Sequence, residues 1–590
     1  MSGPYGRDYQ EGAMYPPTSS TTHLAPEASG SMPHRSSFAT SHVGKRRRSP
    51  WLWVGIAAAA VVVILAAVLG GVLGSRASNN NKNNNAVGAK VNAGGTAAAD
   101  ATGGASGSAT GSAAAANSTP PPGAAKINVV DLPAWNWGQN KSIGMCLGSW
   151  LQLEKWMLPD WFNNTVNAVQ SGAGATTLDE WTFMEVLGQD RGRTALVEHW
   201  NTWVTEADIQ QMFDYGINHL RIPTPFWAWI PTIAGEPYLN DTSVYQEQIE
   251  RVLGYAYARG MYAIIDCHGL PGSQNGEQSS GHLTTEPSWF GGNASTETPN
   301  QLRSNQMVVA ITEWLAANPY RSVVTGIEVI NEPRPYTNDQ ITQLENYYER
   351  SYQTIQKSSW PVATFLHNGY TNLTYWQNFA AAHATNPPSM VMVDHPYPGN
   401  FPPQNNSANI LEQICAAADR YLGYPIPICI DEWSIYTGVK DQTFEKQFYE
   451  QQLVTWAWSA GGMYWSWKLE TSAQDLAAGL DYSQYSFATL LKNNSATVEQ
   501  PSAIGQNGTT SQGAAEAYLS ALAAQITPSC GAAPSNVAPY ATASVSAWTA
   551  EQSARSSAAG QTLTATITTS TASSTATSTA RAKRAVPMRA

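Results

Sequence analysis

Two carboxylates stand out because each closes an apolar run: Glu332 in VINEPRPY and Glu432 in PICIDEW. Paired carboxyl groups facing each other across a cleft can divide acid and base work. One, protonated, gives its proton to a leaving oxygen; the other, ionised, attacks carbon or activates water. That is the equipment of glycosidic cleavage. A separation of ~5–5.5 Å gives retention, and ~6.5–9.5 Å leaves room for a water and gives inversion. Burial and the nearby charge of Glu432 are expected to raise the pKa of Glu332. No metal or other cofactor is expected. There is no HExxH or paired Cys-x-x-Cys, and the histidines are scattered. GxSxG and phosphate-cradling glycine loops are absent as convincing signals.

Such a pair needs a frame. Eight β-rich runs follow one another: SIGMCLG, INHLRIP, MYAIIDCH, VTGIEVINEP, ATFLHNG, SMVMVDHPY, IPICIDEW and GGMYWSWK. Between them lie segments of helical periodicity, such as TEADIQQMFDYG and YQEQIERVLGYAYARG, each closing on the glycine that favours a helix C-terminus. Apolar strands alternating with helices predict the α/β class, with a parallel sheet closed into a (β/α)8 TIM barrel. Arg221, His268, Asn331, Glu332, His395, Tyr397, Glu432 and Trp465 each fall at or just past the end of one of these runs. In a barrel those ends share the face where active sites form.

NEP after the fourth run and DEW after the seventh resemble glycoside hydrolase family 5, a family of retaining barrels. The finer resemblance is to the membrane-anchored type of fungal exo-β-1,3-glucanase (glucan 1,3-β-glucosidase). It is carried by LGSWLQLEKWM, HWNTWVTEADIQQMFDYGINHLRIP, CHGLPGSQNG, DHPYPG and YWSWK, in the family's order over roughly residues 143–470. The resemblance implies Glu332 as acid/base and Glu432 as nucleophile, releasing terminal glucose from cell-wall glucan by double displacement. It implies that Asn331 binds the sugar 2-hydroxyl and that Arg221 keeps Glu432 ionised and aimed. His268 and His395 would hydrogen-bond sugar and carboxylates, and Tyr397 would orient the nucleophile. Trp465 would form the floor under a pyranose ring, and Glu154 would bind hydroxyls at the non-reducing end. The glucan is then the partner, and a monomer is expected. One departure is notable: after PGSQNG, relatives commonly carry an aromatic and then an acidic residue, where this chain has Glu277 and Gln278. Linkage preference therefore stays open between β-1,3 and β-1,6 or β-1,4, as does transglycosylation. A different class of reading is a non-catalytic, membrane-tethered wall-glucan binder.

The ends of the chain are not globular sequence. Residues 1–50 are rich in Ser, Pro, Gly and His and end in GKRRRSP; an uncharged apolar run, Trp51 to Leu73, follows. As a helix it would be roughly 34 Å long, enough to cross a bilayer core. Lys45, Arg46, Arg47 and Arg48 precede it, so the positive-inside rule keeps the head cytoplasmic and sends the rest outside. The expected organisation is a disordered head (1–50), a signal-anchor helix (51–73), a flexible stalk (74–126), the catalytic domain (127–530) and a Ser/Thr/Ala-rich tail (531–590) at the plasma membrane's outer side. Nine glycosylation sequons all follow the span: Asn117, Asn140, Asn163, Asn240, Asn293, Asn372, Asn405, Asn493 and Asn507. A net charge of −11 argues against a nucleic-acid partner. Of the five cysteines, Cys146, Cys267 and Cys429 lie inside apolar runs, leaving Cys415 and Cys530 as candidates for one bridge.

Overall fold

The computed structural model describes residues 129–492, the helix Ser511–Gln525, and Cys530. Its eight strands close into a barrel in sequence order. They are β1 Ser142–Cys146, β2 His219–Pro225, β3 Tyr262–Gly269, β4 Val324–Glu328, β5 Ala363–His367, β6 Met390–Val393, β7 Ile428–Trp433 and β8 Gly461–Tyr464. Every neighbouring pair is parallel, including β8 with β1. Each strand grows from one of the eight runs read in the sequence. Their near-continuous apolar character has a physical cause: helices cover the outside and side chains fill the inside, so both faces are dry.

The helices start and stop where local chemistry directs. Thr205 caps the helix Glu206–Asp214, its side chain accepting from the Asp208 backbone while Asp208 answers the Thr205 backbone. That helix ends before Gly216, and Thr242–Tyr257 ends before Gly260; both glycines have left-handed backbones. Inside the barrel a β-carbon on Gly326 would lie 2.3 Å from the Phe365 ring, so only glycine leaves β4 room for that ring.

The floor and the mouth of the barrel differ in chemistry. Ahead of β1, Trp135 packs edge-on against His219 at 4.2 Å and Trp137 against Phe365 at 4.9 Å. Trp137 also donates its indole N–H to the Thr325 carbonyl at 3.2 Å. Aromatic rings thus plug the N-terminal ends of the strands, and the carboxylates gather at the other end.

A disulfide joins Cys415, in the helix Ser407–Tyr421, to Cys530, closing a separation of 115 residues. Cys146, Cys267 and Cys429 are buried free thiols. Among the described residues no helix is long and apolar enough to cross a membrane. The Trp51–Leu73 segment, the head, the stalk, the tail and the sequons Asn117, Asn493 and Asn507 lie outside the described residues. Asn240, Asn293, Asn372 and Asn405 are exposed; Asn140 and Asn163 are half-buried, Asn140 donating to Glu516 at 3.1 Å.

Candidate active site

Arg221 is the hub. It sits third in β2, one layer below the mouth and not at the strand end that the sequence suggested. Its guanidinium reaches Glu432 at 2.6 Å, Glu328 at 2.8 Å, Asp266 at 3.0 Å and Asp431 at 3.4 Å, and it donates to the Asn331 side chain at 2.8 Å. A fully buried cation persists only when its donors are matched, and the planar five-donor fork suits several carboxylates at once. Burial, with Asp266 and Asp431 nearby, pushes the Glu328 carboxyl well up despite Arg221.

Both central carboxylates converge on one nitrogen. His395 Nδ1 lies 2.8 Å from Glu332 and 3.6 Å from Glu432, while its Nε2 lies 2.9 Å from Asp431. The Tyr397 hydroxyl donates to Glu432 at 2.9 Å. Burial alone would depress His395, but Glu432, Asp431 and Glu332 outweigh it and push the imidazole up to about 10. The consequence for Glu332 reverses the expectation from sequence. Burial does work to raise its pKa, but the hydrogen bond and charge of His395 win, and the carboxyl is held well below its usual range. Glu432 is pushed upward by burial and by Glu332, against His395 and Arg221. Arg221 therefore orients Glu432 and opposes its protonation without overcoming burial.

The pocket is lined by Glu154, His268, Asn331, Glu332, Tyr397, Glu432 and Trp465, all singled out in the sequence. His268 lies parallel to Trp465 at 5.5 Å, is held by Asp266 at 2.7 Å, and faces Glu154 at 3.6 Å. Glu154 is fixed by the Trp156 indole at 2.9 Å. His268 Nε2 and Asn331 Nδ2 are buried without hydrogen-bond partners, which suits them to a ligand's hydroxyls. His395 departs from its expected role. It is fully buried and both nitrogens are taken by carboxylates, so it serves the carboxylates and does not reach a sugar.

The sequence reading passed over Asp266, Glu328 and Asp431, although a carboxylate inside an apolar strand run is itself a signal. It also passed over Tyr370, which hydrogen-bonds Glu332, and over Trp156, Arg334, Phe401 and Tyr485 in the lining. The loop after β3 braces the site from the side: Gln274 donates to the Asn331 carbonyl at 2.9 Å and Asn275 to the Glu332 carbonyl at 3.3 Å. Backbone strain concentrates here. Glu332, Tyr370, Tyr397 and Phe401 all line the pocket with positive φ, a conformation that costs a side-chain-bearing residue about 1–3 kcal/mol. Glu328, His395 and Asp431 approach within 4.8 Å, as do Glu332, His367 and His395. The first set also surrounds the Arg221 cation, and His395 is already committed on both sides, so hydrogen-bonded ion pairs fit these sets better than a metal.

Residues 185–471 match the family model described as Cellulase (glycosyl hydrolase family 5). The protein is a glycoside hydrolase, and its barrel is similar to family 5. It is 29% identical over 378 residues to a probable glucan 1,3-beta-glucosidase A of Aspergillus terreus, spanning 56% of this chain and 83% of that one. It is also 29% identical over 365 residues to glucan 1,3-beta-glucosidase 1 of Schizosaccharomyces pombe, spanning 57% and 85%. In fold the hydrolase resembles the crystal structure of rutinosidase from Aspergillus niger, with 24% identity and a TM-score of 0.50 over 58% of this chain and 93% of that one.

Proposed function

We propose that this hydrolase is a retaining exo-β-1,3-glucanase that removes terminal glucose from cell-wall glucan, with Glu432 as nucleophile and Glu332 as acid/base. The observation that carries the reading is the meeting of both carboxylates at His395 Nδ1, at 2.8 and 3.6 Å. Their nearest oxygens can be no further apart than those two distances laid end to end. Both carboxylates thus flank one sugar-sized space, as a nucleophile and an acid/base acting on the same bond require.

In the first step a Glu432 oxygen bonds to the anomeric carbon as the bond from that carbon to the glycosidic oxygen breaks. Glu332 delivers a proton to the departing oxygen. In the second step Glu332 takes a proton from water, whose oxygen displaces Glu432 from the sugar and restores the free carboxylate. Glu332 and His395 hold the required proton between them. When it moves to Glu332, the Glu332 charge that opposes ionisation of Glu432 and the His395 charge that favours it both disappear, leaving Arg221 and the Tyr397 hydroxyl to hold Glu432 ionised. Asn331 and His268 offer their unpartnered nitrogens to sugar hydroxyls, and Trp465 offers its face to the ring. Glu154, which the resemblance assigns to hydroxyls at the non-reducing end, lines the same pocket beside Trp156, which suits removal of single terminal units. The names of the relatives favour β-1,3 linkage.

The experiment is digestion of β-1,3-, β-1,6- and β-1,4-glucans by the full chain, with products sized over time. Early glucose from β-1,3-glucan supports the reading; early shortening of the polymer, or preference for another linkage, removes it. Glu332→Gln and Glu432→Gln should each lose about 100-fold or more in turnover. We further propose that Trp51–Leu73 anchors the enzyme in the plasma membrane with the barrel on the wall side, as the four basic residues before the span favour. Intact cells treated with protease should lose the barrel from the membrane fraction; protection would count against this orientation.

A further inference from the structure

Asp431 precedes Glu432 in β7, and nothing in the double displacement uses it. Successive strand residues normally point to opposite faces. Here both carboxylates reach the site, because β7 spends three steps from Ile430 to Trp433 where β8 spends two from Gly462 to Tyr464. This extra residue is a bulge, a device that re-aims side chains. It brings Asp431 under His395.

We propose that Asp431 is a positioning residue that fixes the tautomer and charge of His395, and so decides where the proton delivered by Glu332 is kept. The inference rests on Glu332 being the acid/base. Ionised Asp431 can only accept hydrogen bonds, so the 2.9 Å contact keeps a proton on Nε2. All exchange with Glu332 then occurs at Nδ1, 2.8 Å away. Either Glu332 carries the proton and Nδ1 accepts it, or Nδ1 carries it and Glu332 accepts. Without Asp431 the neutral ring could place its proton on Nδ1 and lose the ability to accept from Glu332.

The groups facing His395 are few and named. Glu332 and Glu328 approach from β4 and the segment after it, Asp431 and Glu432 from β7, and Arg221 from β2. His367 of β5 packs edge-on at 4.6 Å, and burial keeps it neutral. Arg221 at 3.4 Å helps hold Asp431 ionised against its burial. Of these, Asp431 alone touches Nε2, so its charge stabilises the imidazolium without competing for the catalytic proton.

In Asp431→Asn the side-chain oxygen still accepts from Nε2–H, but the charge is gone. The imidazole loses its proton at lower pH, and because Glu332 and His395 share the required proton, the pair empties at lower pH as well. The basic limb of the pH profile of kcat/KM should therefore move down by about one pH unit or more. A limb that stays in place overturns the inference. A second readout does not depend on the folding of Asp431→Asn: 15N spectra of histidine-labelled full chain, with His395 assigned by its loss in His395→Gln. A protonated Nε2 throughout the titration of Nδ1 is expected; a bare Nε2 overturns the inference. Glu332→Gln separates the two levels. If that variant stays active, the acid/base reading falls; if it is inactive and the limb does not move in Asp431→Asn, only the role of Asp431 falls.

Discussion

Glu277 and Arg334 form an ion pair of 2.6 Å in the wall of the pocket that holds Glu332 and Glu432. Arg334 also lies over the Tyr370 ring at 5.7 Å, and Tyr370 touches Glu332. A charged pair, not a ring, thus occupies the place where the resemblance led one to expect an aromatic. Glu277→Phe should restore stacking for a leaving glucan unit. Its expected effect is a KM for β-1,3-oligosaccharides lower by about 2–10-fold, with little change for short aryl glucosides, since an aromatic contact contributes about 0.5–1.5 kcal/mol. Equal changes for both substrates would place Glu277 outside the leaving-group subsite.

Arg221→Met should be among the most damaging single changes. It strands Glu432, Asp266 and Asp431 in a dry interior, and removing one partner of a buried ion pair costs about 3–5 kcal/mol. Chemical denaturation should show that loss. Arg221→Lys keeps the charge but not the fork, so it should recover part of the stability while turnover stays at least about 10-fold down.

The buried histidines pull stability in opposite directions on the two sides of pH 6.5. Burial pushes His219 down to about 3 and His199 to about 4 from an ordinary 6.5. As pH falls below 6.5 the unfolded chain takes up protons these two rings refuse, and stability drops. His268 and His395 are the opposite case, raised to about 10 despite burial because of the carboxylates around them. Their stabilisation is complete below 6.5 and is lost as pH rises toward 10. In denaturant midpoints measured from pH 4 to 10, His199→Gln should lose less stability below pH 6.5 than the parent does; an unchanged slope would contradict this balance.

Cys415→Ser should lower stability by about 2–4 kcal/mol, because the Cys415–Cys530 bridge closes a separation of 115 residues and restricts the unfolded chain. Thermal melts with and without reductant should show the same difference in the parent and none in the variant.

The barrel was legible because its strands are dry on both faces, so the runs are written largely in apolar residues whatever their neighbours. The capping of Glu206–Asp214 by Thr205 was equally local. The strand-end residues gathered as expected because barrel topology alone brings such ends together. What escaped was pairwise. Asp266, Glu328 and Asp431 make sense only once Arg221 is seen among them, and they come from three strands. The protonation of Glu332 was misjudged for the same reason: sequence supplies burial and a neighbouring carboxylate, but not a histidine nitrogen at 2.8 Å. The Glu277–Arg334 pair spans two loops and left no periodic trace.

The left-handed backbones at Glu332, Tyr370, Tyr397 and Phe401 carry a consequence for engineering. Glycine or asparagine would relax each of them, yet each supplies a side chain to the mouth. A laboratory screen that rewarded heat tolerance alone would drift toward those two residues here, and would harvest sturdier barrels with nothing left to cut.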